Sequence, residues 1–328
     1  MNAFWARGCE MNDCKIGLAL GGGSARGWSH IGVLRALNEA GIFPDIIAGT
    51  SIGAVVGGCY VAGELDALER FACELTRRKV LGFLDFNLSG SGLLHGQRLC
   101  DILETRLKGV AIESLPKKFV AVATEIGTGH ETWLARGHIV EAMRASYALP
   151  GIFKPVMIEG RWLFDGALVN PIPVSVCRAL GARYVIAVNV NTDVCGRGTV
   201  ITHMEALPPP TPQPQPATDE GLLARNGRAV KKLLQRQFFG RRDNGPGISR
   251  VMMEAFNIVQ DRIARSRLAG DPPDVVIAPR LPAFGLFDFH RAEAMIECGA
   301  IAAKREIDDI KREIAARRVF GAVLARSA

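Results

Sequence analysis

Wholly apolar runs alternate with amphipathic ones along this chain, and the first few of them predict its architecture. "KIGLAL" (Lys15 to Leu20) is apolar after its first residue and runs into glycines, the pattern of a strand buried on both faces of a parallel sheet. "WSHIGVLRALNEAG" then carries Ile31, Leu34 and Leu37 at helical spacing, with Gly41 as the C-terminal stop. After Pro44, "DIIAGT" predicts a second buried strand and "IGAVVGGCYVAG" a second helix. Strand, loop, helix, strand, turn, helix implies a parallel sheet covered by helices. "KFVAVATEI", "YVIAVNV" and "DVVIAP" supply three further strands, and "GLLHGQRLCDILETRL" (Gly92 to Leu107) an amphipathic helical region packing over them.

One stretch has a competing explanation. From Ile46 to Gly63 there is no charge for 18 residues, and Gly49, Gly53 and Gly57 stand at G-x-x-x-G spacing. A single membrane span needs about 20 predominantly apolar residues. Five glycines with Thr50 and Ser51 dilute this stretch below that signal, so it is read as strand and helix.

Composition narrows the class without deciding it. The 328 residues are 48% hydrophobic and 22% charged, enough apolar material for one large α/β domain. A net charge of +7 makes an anionic partner plausible, either a membrane surface or a nucleic acid. Eight cysteines are scattered without a C-x-x-C pair, which argues against zinc and against a disulfide framework. They fit small apolar core positions in a reduced, cytoplasmic protein. Residues 1–14 carry Glu10 and Asp13 and no apolar core of signal-peptide length, so they are read as a loose leader, with no export expected.

The candidate chemistry sits at the two strand-to-helix junctions. Ser51, with Gly49 and Gly53 two residues to either side, matches the G-x-S-x-G nucleophile elbow, in which small residues permit a tight turn and the hydroxyl projects from its tip. A glycine-rich turn with an incidental serine is the alternative for this motif alone. "GGGSARG" lacks the G-K-[ST] of a phosphate-binding loop, and its third glycine falls one place late for a dinucleotide fingerprint. What remains is an anion cradle of backbone N–H groups at a helix N-terminus, which beside a nucleophilic serine would be an oxyanion hole. Arg26 would hold the loop or add positive charge. For the base, chain order leaves only His203 and His290 among six histidines, and neither has a distinctive setting. Asp165 ends the apolar run of "RWLFDGALVNPIPV" and could take the serine proton directly; a type I′ hairpin at Asp165-Gly166 is the competing reading.

In this order, "GGGSARG", "GTSIG" and "DGA" (Asp165 to Ala167) resemble the patatin-like phospholipase family, particularly its bacterial members. "ASYALPGIFKPV", "DVVIAP" and "FDFHRAEAMIECG" extend the resemblance from Lys15 to Ala303. The resemblance implies a Ser–Asp dyad without a catalytic histidine. Ser51 would be the nucleophile and Asp165 the base, with an oxyanion hole from the amides around Gly22, Gly23 and Ser24 together with Arg26. Ser24 stands where many relatives carry another glycine, which leaves the donor register open by one residue.

Between the last two strands, "LPPPTPQPQPATDE" reads as an extended linker, followed by "GLLARNGRAVKKLLQRQFFGRRDNG". Leu223, Val230, Leu234 and Phe238 form a helical stripe there, interrupted by Gly227. A basic amphipathic helix on an anionic membrane and a solvent-exposed cap both fit it.

The expectation is therefore a three-layer α/β/α, patatin-like domain with a mostly parallel sheet over residues 15–315. It would carry an insertion at about 195–247 and a tail at 316–328. The expected activity is hydrolysis of a lipid acyl ester, a phospholipid or lysophospholipid, with no cofactor and no metal. The expected location is the cytoplasm, with peripheral contact to an anionic membrane open to it, and no nucleic-acid partner. An acyltransferase, or a catalytically quiet adaptor on the same fold, are the alternatives.

Overall fold

The structure, a computed structural model, describes residues 14–77, 97–192 and 248–327. In chain order they form β1 (Ile16–Leu20), α1 (Ser29–Glu39), β2 (Ile46–Thr50), α2 (Ile52–Val61), α3 (Leu65–Cys73), α4 (Gln97–Leu107), β3 (Lys118–Glu125) and β4 (Glu131–Leu134). Then follow α5 (Ile139–Tyr147), β5 (Val156–Ile158), β6 (Arg161–Asp165), α6 (Val174–Ala179), β7 (Tyr184–Val188), α7 (Ile248–Gly270), β8 (Val275–Ile277) and α8 (Ala292–Ser327).

The five strands expected from apolar runs are the five parallel ones, side by side as β3-β2-β1-β7-β8. Registers are fixed by the alternation of faces. In β1, Ile16, Leu18 and Leu20 enter one core, and Ala19 enters the other. The same split separates Ile47 from Ile46 and Ala48, Phe119 and Ala121 from Val120 and Val122, and Ile186 from Val185 and Ala187. The first core is covered by apolar residues of α1, α2, α3, α4, α5 and α8, with Trp28 fully buried among them. The second is covered by Val174, Val176 and Cys177 of α6 and by Ala264 of α7. Two apolar faces each sealed by helices make a three-layer α/β/α domain. A large apolar side chain contributes about 1.5–3 kcal/mol when it leaves water completely.

The sheet is mixed at one side. β6 pairs antiparallel with β3, and β5 pairs antiparallel with β6. β4 also pairs antiparallel with β3. The β5–β6 hairpin turns at Glu159 (φ 48°) and Gly160 (φ 78°), the two successive positive φ values that a type I′ turn needs. The hairpin turn therefore lies upstream of Asp165-Gly166, where Asp165 has φ −48°.

Among the described residues no helix is long and apolar enough to cross a membrane. The uncharged stretch 46–63 is divided between β2 and α2, a helix of 10 residues. The chain separates into two compact units, residues 1–194 with 260–328, and residues 195–259. Of the second unit only 248–259, the start of α7, are described; residues 1–13 of the leader and the linker with its basic segment lie outside the described residues. α8 continues as one helix across the 315/316 boundary to Ser327.

Candidate active site

Ser51 is held in the tight strand-to-helix turn that its flanking glycines permit. Its backbone takes φ 56° and ψ −124°, a region sparsely populated by residues with a side chain. Such a conformation costs on the order of 1–3 kcal/mol and persists only when its surroundings impose it. Here they do. A Cβ on Gly53 would lie 2.2 Å from Leu20 O, and one on Gly49 would lie 2.5 Å from the backbone of Ala54. Ser146 of α5 completes the mount: its Oγ accepts from Ser51 N–H at 2.8 Å and donates to Val122 O at 2.6 Å.

Asp165 comes to Ser51 from the antiparallel strand β6. In β3, Val122 is opposite Thr50 of β2, and Ala123 is opposite Asp165 of β6. β4 takes the other edge of β3 at these same residues, so β2 and β6 lie end to end along one edge of β3. Ser51 Oγ donates to Asp165 Oδ2 at 2.7 Å, and Ala167 N–H donates to Oδ1 at 2.8 Å. The main chain of Asp165 is also pinned, by N–H to Ala148 O at 3.0 Å and by Thr124 Oγ1–H to its carbonyl at 2.9 Å. A Cβ on Gly166 would lie 2.2 Å from Val122 O, so the Asp-Gly pair reflects close approach to β3. Ser51 is 9% exposed and Asp165 2%. Loss of water raises the Asp165 carboxyl to about 7, against the lowering pull of the Ala167 N–H and the Ser51 hydroxyl. A carboxylate of ordinary acidity is a weak base at neutral pH; one near 7 is matched to taking a hydroxyl proton there.

The glycine-rich loop lies against this pair, with a narrower donor set than its sequence suggests. Gly22 N–H donates to Pro171 O at 3.0 Å, so that amide is committed within the protein. Among the described residues the N–H groups of Gly23 and Ser24 donate to no acceptor. Ser24 takes φ 52°, a left-handed conformation in which glycine is at ease, which accounts for the residue type usual at this place. Arg26 is 3% exposed, and its guanidinium donates to Asn191 Oδ1 at 2.6 Å. Asn191 Nδ2 in turn donates to Gly22 O at 2.9 Å, so Arg26 holds the shape of the loop through Asn191.

The described histidines all have other engagements. His30 is fully buried under the loop, with Nε2 2.7 Å from Gly21 O. That acceptor requires the Nε2–H tautomer, and burial depresses the imidazole to about 4, which keeps it neutral. His138 Nε2 accepts from Gly109 N–H at 3.2 Å, and His290 Nε2 accepts from Arg77 at 3.1 Å. His203 lies outside the described residues. No three His, Cys, Asp or Glu side chains converge as metal ligands among the described residues. Ser146, Asn191, Thr124 and His30 were not singled out in the sequence. Each is a single polar residue without a motif of its own, and only its long-range partner gives it a role.

Comparison with known proteins bears on the family of the chain. A family model described as patatin-like phospholipase matches residues 18–178. An uncharacterized NTE family protein of Mycobacterium bovis is 34% identical over 349 residues, covering 90% of this chain and 93% of the relative. An uncharacterized NTE family protein of Mycobacterium tuberculosis matches with the same identity and coverage. Lysophospholipase NTE1 of Mycosarcoma maydis is 36% identical over 192 residues, covering 54% of this chain and 10% of the fungal protein.

Proposed function

Since the chain belongs to the patatin-like phospholipase family, we propose that it is a serine lipid acyl hydrolase acting on phospholipids or lysophospholipids through a Ser51–Asp165 dyad. The observation that carries this reading is the 2.7 Å hydrogen bond from Ser51 Oγ to a buried carboxylate raised to about 7.

In the proposed reaction, Ser51 Oγ attacks the acyl carbonyl carbon while Asp165 Oδ2 takes its proton. The carbonyl oxygen becomes an oxyanion facing the Gly23 and Ser24 amides, each such donor contributing about 3 kcal/mol in the transition state. The ester C–O bond then breaks, and the departing lipid alkoxide takes the proton from Asp165. Water attacks the resulting acyl-enzyme, giving a proton to Asp165 and displacing Ser51, which recovers that proton as the fatty acid leaves. Arg26, through Asn191, keeps the loop in register for the oxyanion. The net charge of +7 favours anionic lipid surfaces, so the proposed place of action is cytoplasmic and peripheral to a membrane.

Labelling with a fluorophosphonate probe, together with fatty-acid release from lysophosphatidylcholine and from diacyl phospholipid vesicles, tests this. Wild type is expected to be labelled and to release fatty acid, and Ser51→Ala to do neither. Transfer of the acyl group to an added alcohol in preference to water would make the protein an acyltransferase. A folded wild type that neither reacts with the probe nor releases fatty acid would sink the hydrolase reading and favour an adaptor.

A further inference from the structure

The loop, Asn191 and the C-terminal part of α7 share a hydrogen-bond chain whose direction is set at one end. A guanidinium can only donate, so the Asn191 atom facing Arg26 at 2.6 Å must be the oxygen. The other end of the same amide is therefore NH₂, and it donates both to Gly22 O at 2.9 Å and to Gln260 Oε1 at 3.3 Å. That in turn fixes the Gln260 amide, with Oε1 towards Asn191 and Nε2 on the opposite side.

The opposite side is the nucleophile's. A methyl group built on Gly22 would lie 2.7 Å from Gln260 Nε2 and 3.4 Å from Ser51 Cβ, so glycine at position 22 lets the amide and the serine flank one small space. Gln260 is 3% exposed, and its Nε2 donates to no acceptor among the described residues. An NH₂ group beside the reacting serine, on a largely buried side chain whose orientation is locked from behind, is suited to one kind of partner: a ligand oxygen that arrives with the substrate.

We propose that Gln260 Nε2 is a substrate-contacting donor that hydrogen-bonds the acyl carbonyl oxygen at Ser51, acting beside the Gly23 and Ser24 amides. Arg26 and Asn191 are positioning residues that keep the amide from turning over. This inference rests on the acyl-hydrolase reading above.

Gln260→Glu is the sharpest test, because it retains the shape and the Oε1 acceptor for Asn191 and replaces only the NH₂ by oxygen. The measurements are kcat and KM for lysophosphatidylcholine release, the rate of fluorophosphonate labelling and the melting temperature, from pH 5 to 9. The expected result is a kcat about 10²-fold below wild type at pH 8, with KM changed much less. The ratio of variant to wild type should recover as the pH falls and the new carboxyl regains a donor proton. Gln260→Leu should lose a similar factor at all pH values. A purely structural role for Gln260 predicts a flat ratio for Gln260→Glu and loss only in step with melting temperature; that result, or full kcat in either variant, overturns the proposal. A wild type that neither labels nor hydrolyses overturns the parent reading and this one with it.

Discussion

Ser51 and Asp165 are 114 residues apart in the chain and 2.7 Å apart between Oγ and Oδ2, reaching each other from two strands that meet end to end along one edge of β3. β2 runs parallel to β3 and β6 runs antiparallel to it, yet both stop at the same level of the sheet. Pairing of both strands with β3 sets their ends against each other, which brings the two side chains together.

Removing either partner should separate their roles. Ser51→Ala is expected to abolish fluorophosphonate labelling. Asp165→Asn, which retains an acceptor for Ala167 N–H, should slow labelling by about 10²–10⁴-fold, the range of a lost general base. Labelling rates on folded proteins check both. Equal labelling of wild type and Asp165→Asn would remove Asp165 from the reaction.

The pH dependence has a definite sign. Asp165 must be ionised to take the proton, and its carboxyl lies near 7, so kcat/KM should rise with pH and level off above about 7. An assay of initial rates from pH 5 to 9 decides this. A profile already flat from pH 5 would mean a carboxylate of ordinary acidity.

Stability should move the other way. The folded carboxyl holds its proton more tightly than the unfolded one, so its favourable contribution is complete below about 4 and is lost as pH rises through about 7. Asp165→Asn should accordingly melt higher than wild type at pH 8, by on the order of 4 kcal/mol at most, and gain little at pH 4. Paired thermal melts at the two pH values measure the difference.

His30 tilts stability in the opposite sense. Its imidazole is depressed to about 4 against an ordinary value near 6.5, so the stability it contributes is complete above the ordinary value and falls away as pH drops towards 4. Nitrogen NMR of the imidazole should show a neutral ring protonated at Nε2 throughout pH 5.5 to 9. A ring that titrates near 6.5 would contradict its burial against Gly21 O.

Ser146 is a test of the mount, separate from the reaction. Ser146→Ala leaves Ser51 N–H and Val122 O without the hydroxyl that serves both, at a cost of about 1–3 kcal/mol in denaturant melts. Labelling of Ser51 should slow but persist, since the dyad hydrogen bond is untouched. Unchanged stability would mean that the two backbone groups find other partners.

Much of this was legible locally. Apolar runs predicted the five parallel strands, because a strand buried on both faces needs an unbroken apolar sequence. The elbow at Ser51 was legible for the same kind of reason: Gly49 and Gly53 are demanded by contacts within a few residues and with the neighbouring strand. The antiparallel edge was not legible. β4 and β5 are only 4 and 3 residues long, too short for alternation to register, and the β5–β6 hairpin turns on Glu159, a poor turn signal. For Asp165, the residues alone left a hairpin and a base in contention, and the resemblance to a family supplied its role. Tertiary structure alone decided its surroundings: a carboxylate is shifted by loss of water on every side, and that depends on β3, α5 and the loop together. It likewise decided that Gly22 N–H belongs to Pro171, that Arg26 faces Asn191, and that Gln260 lies beside Gly22. Side-chain periodicity reports which face of an element is apolar, whereas hydrogen-bond partners far apart in the chain are chosen only when the elements have packed.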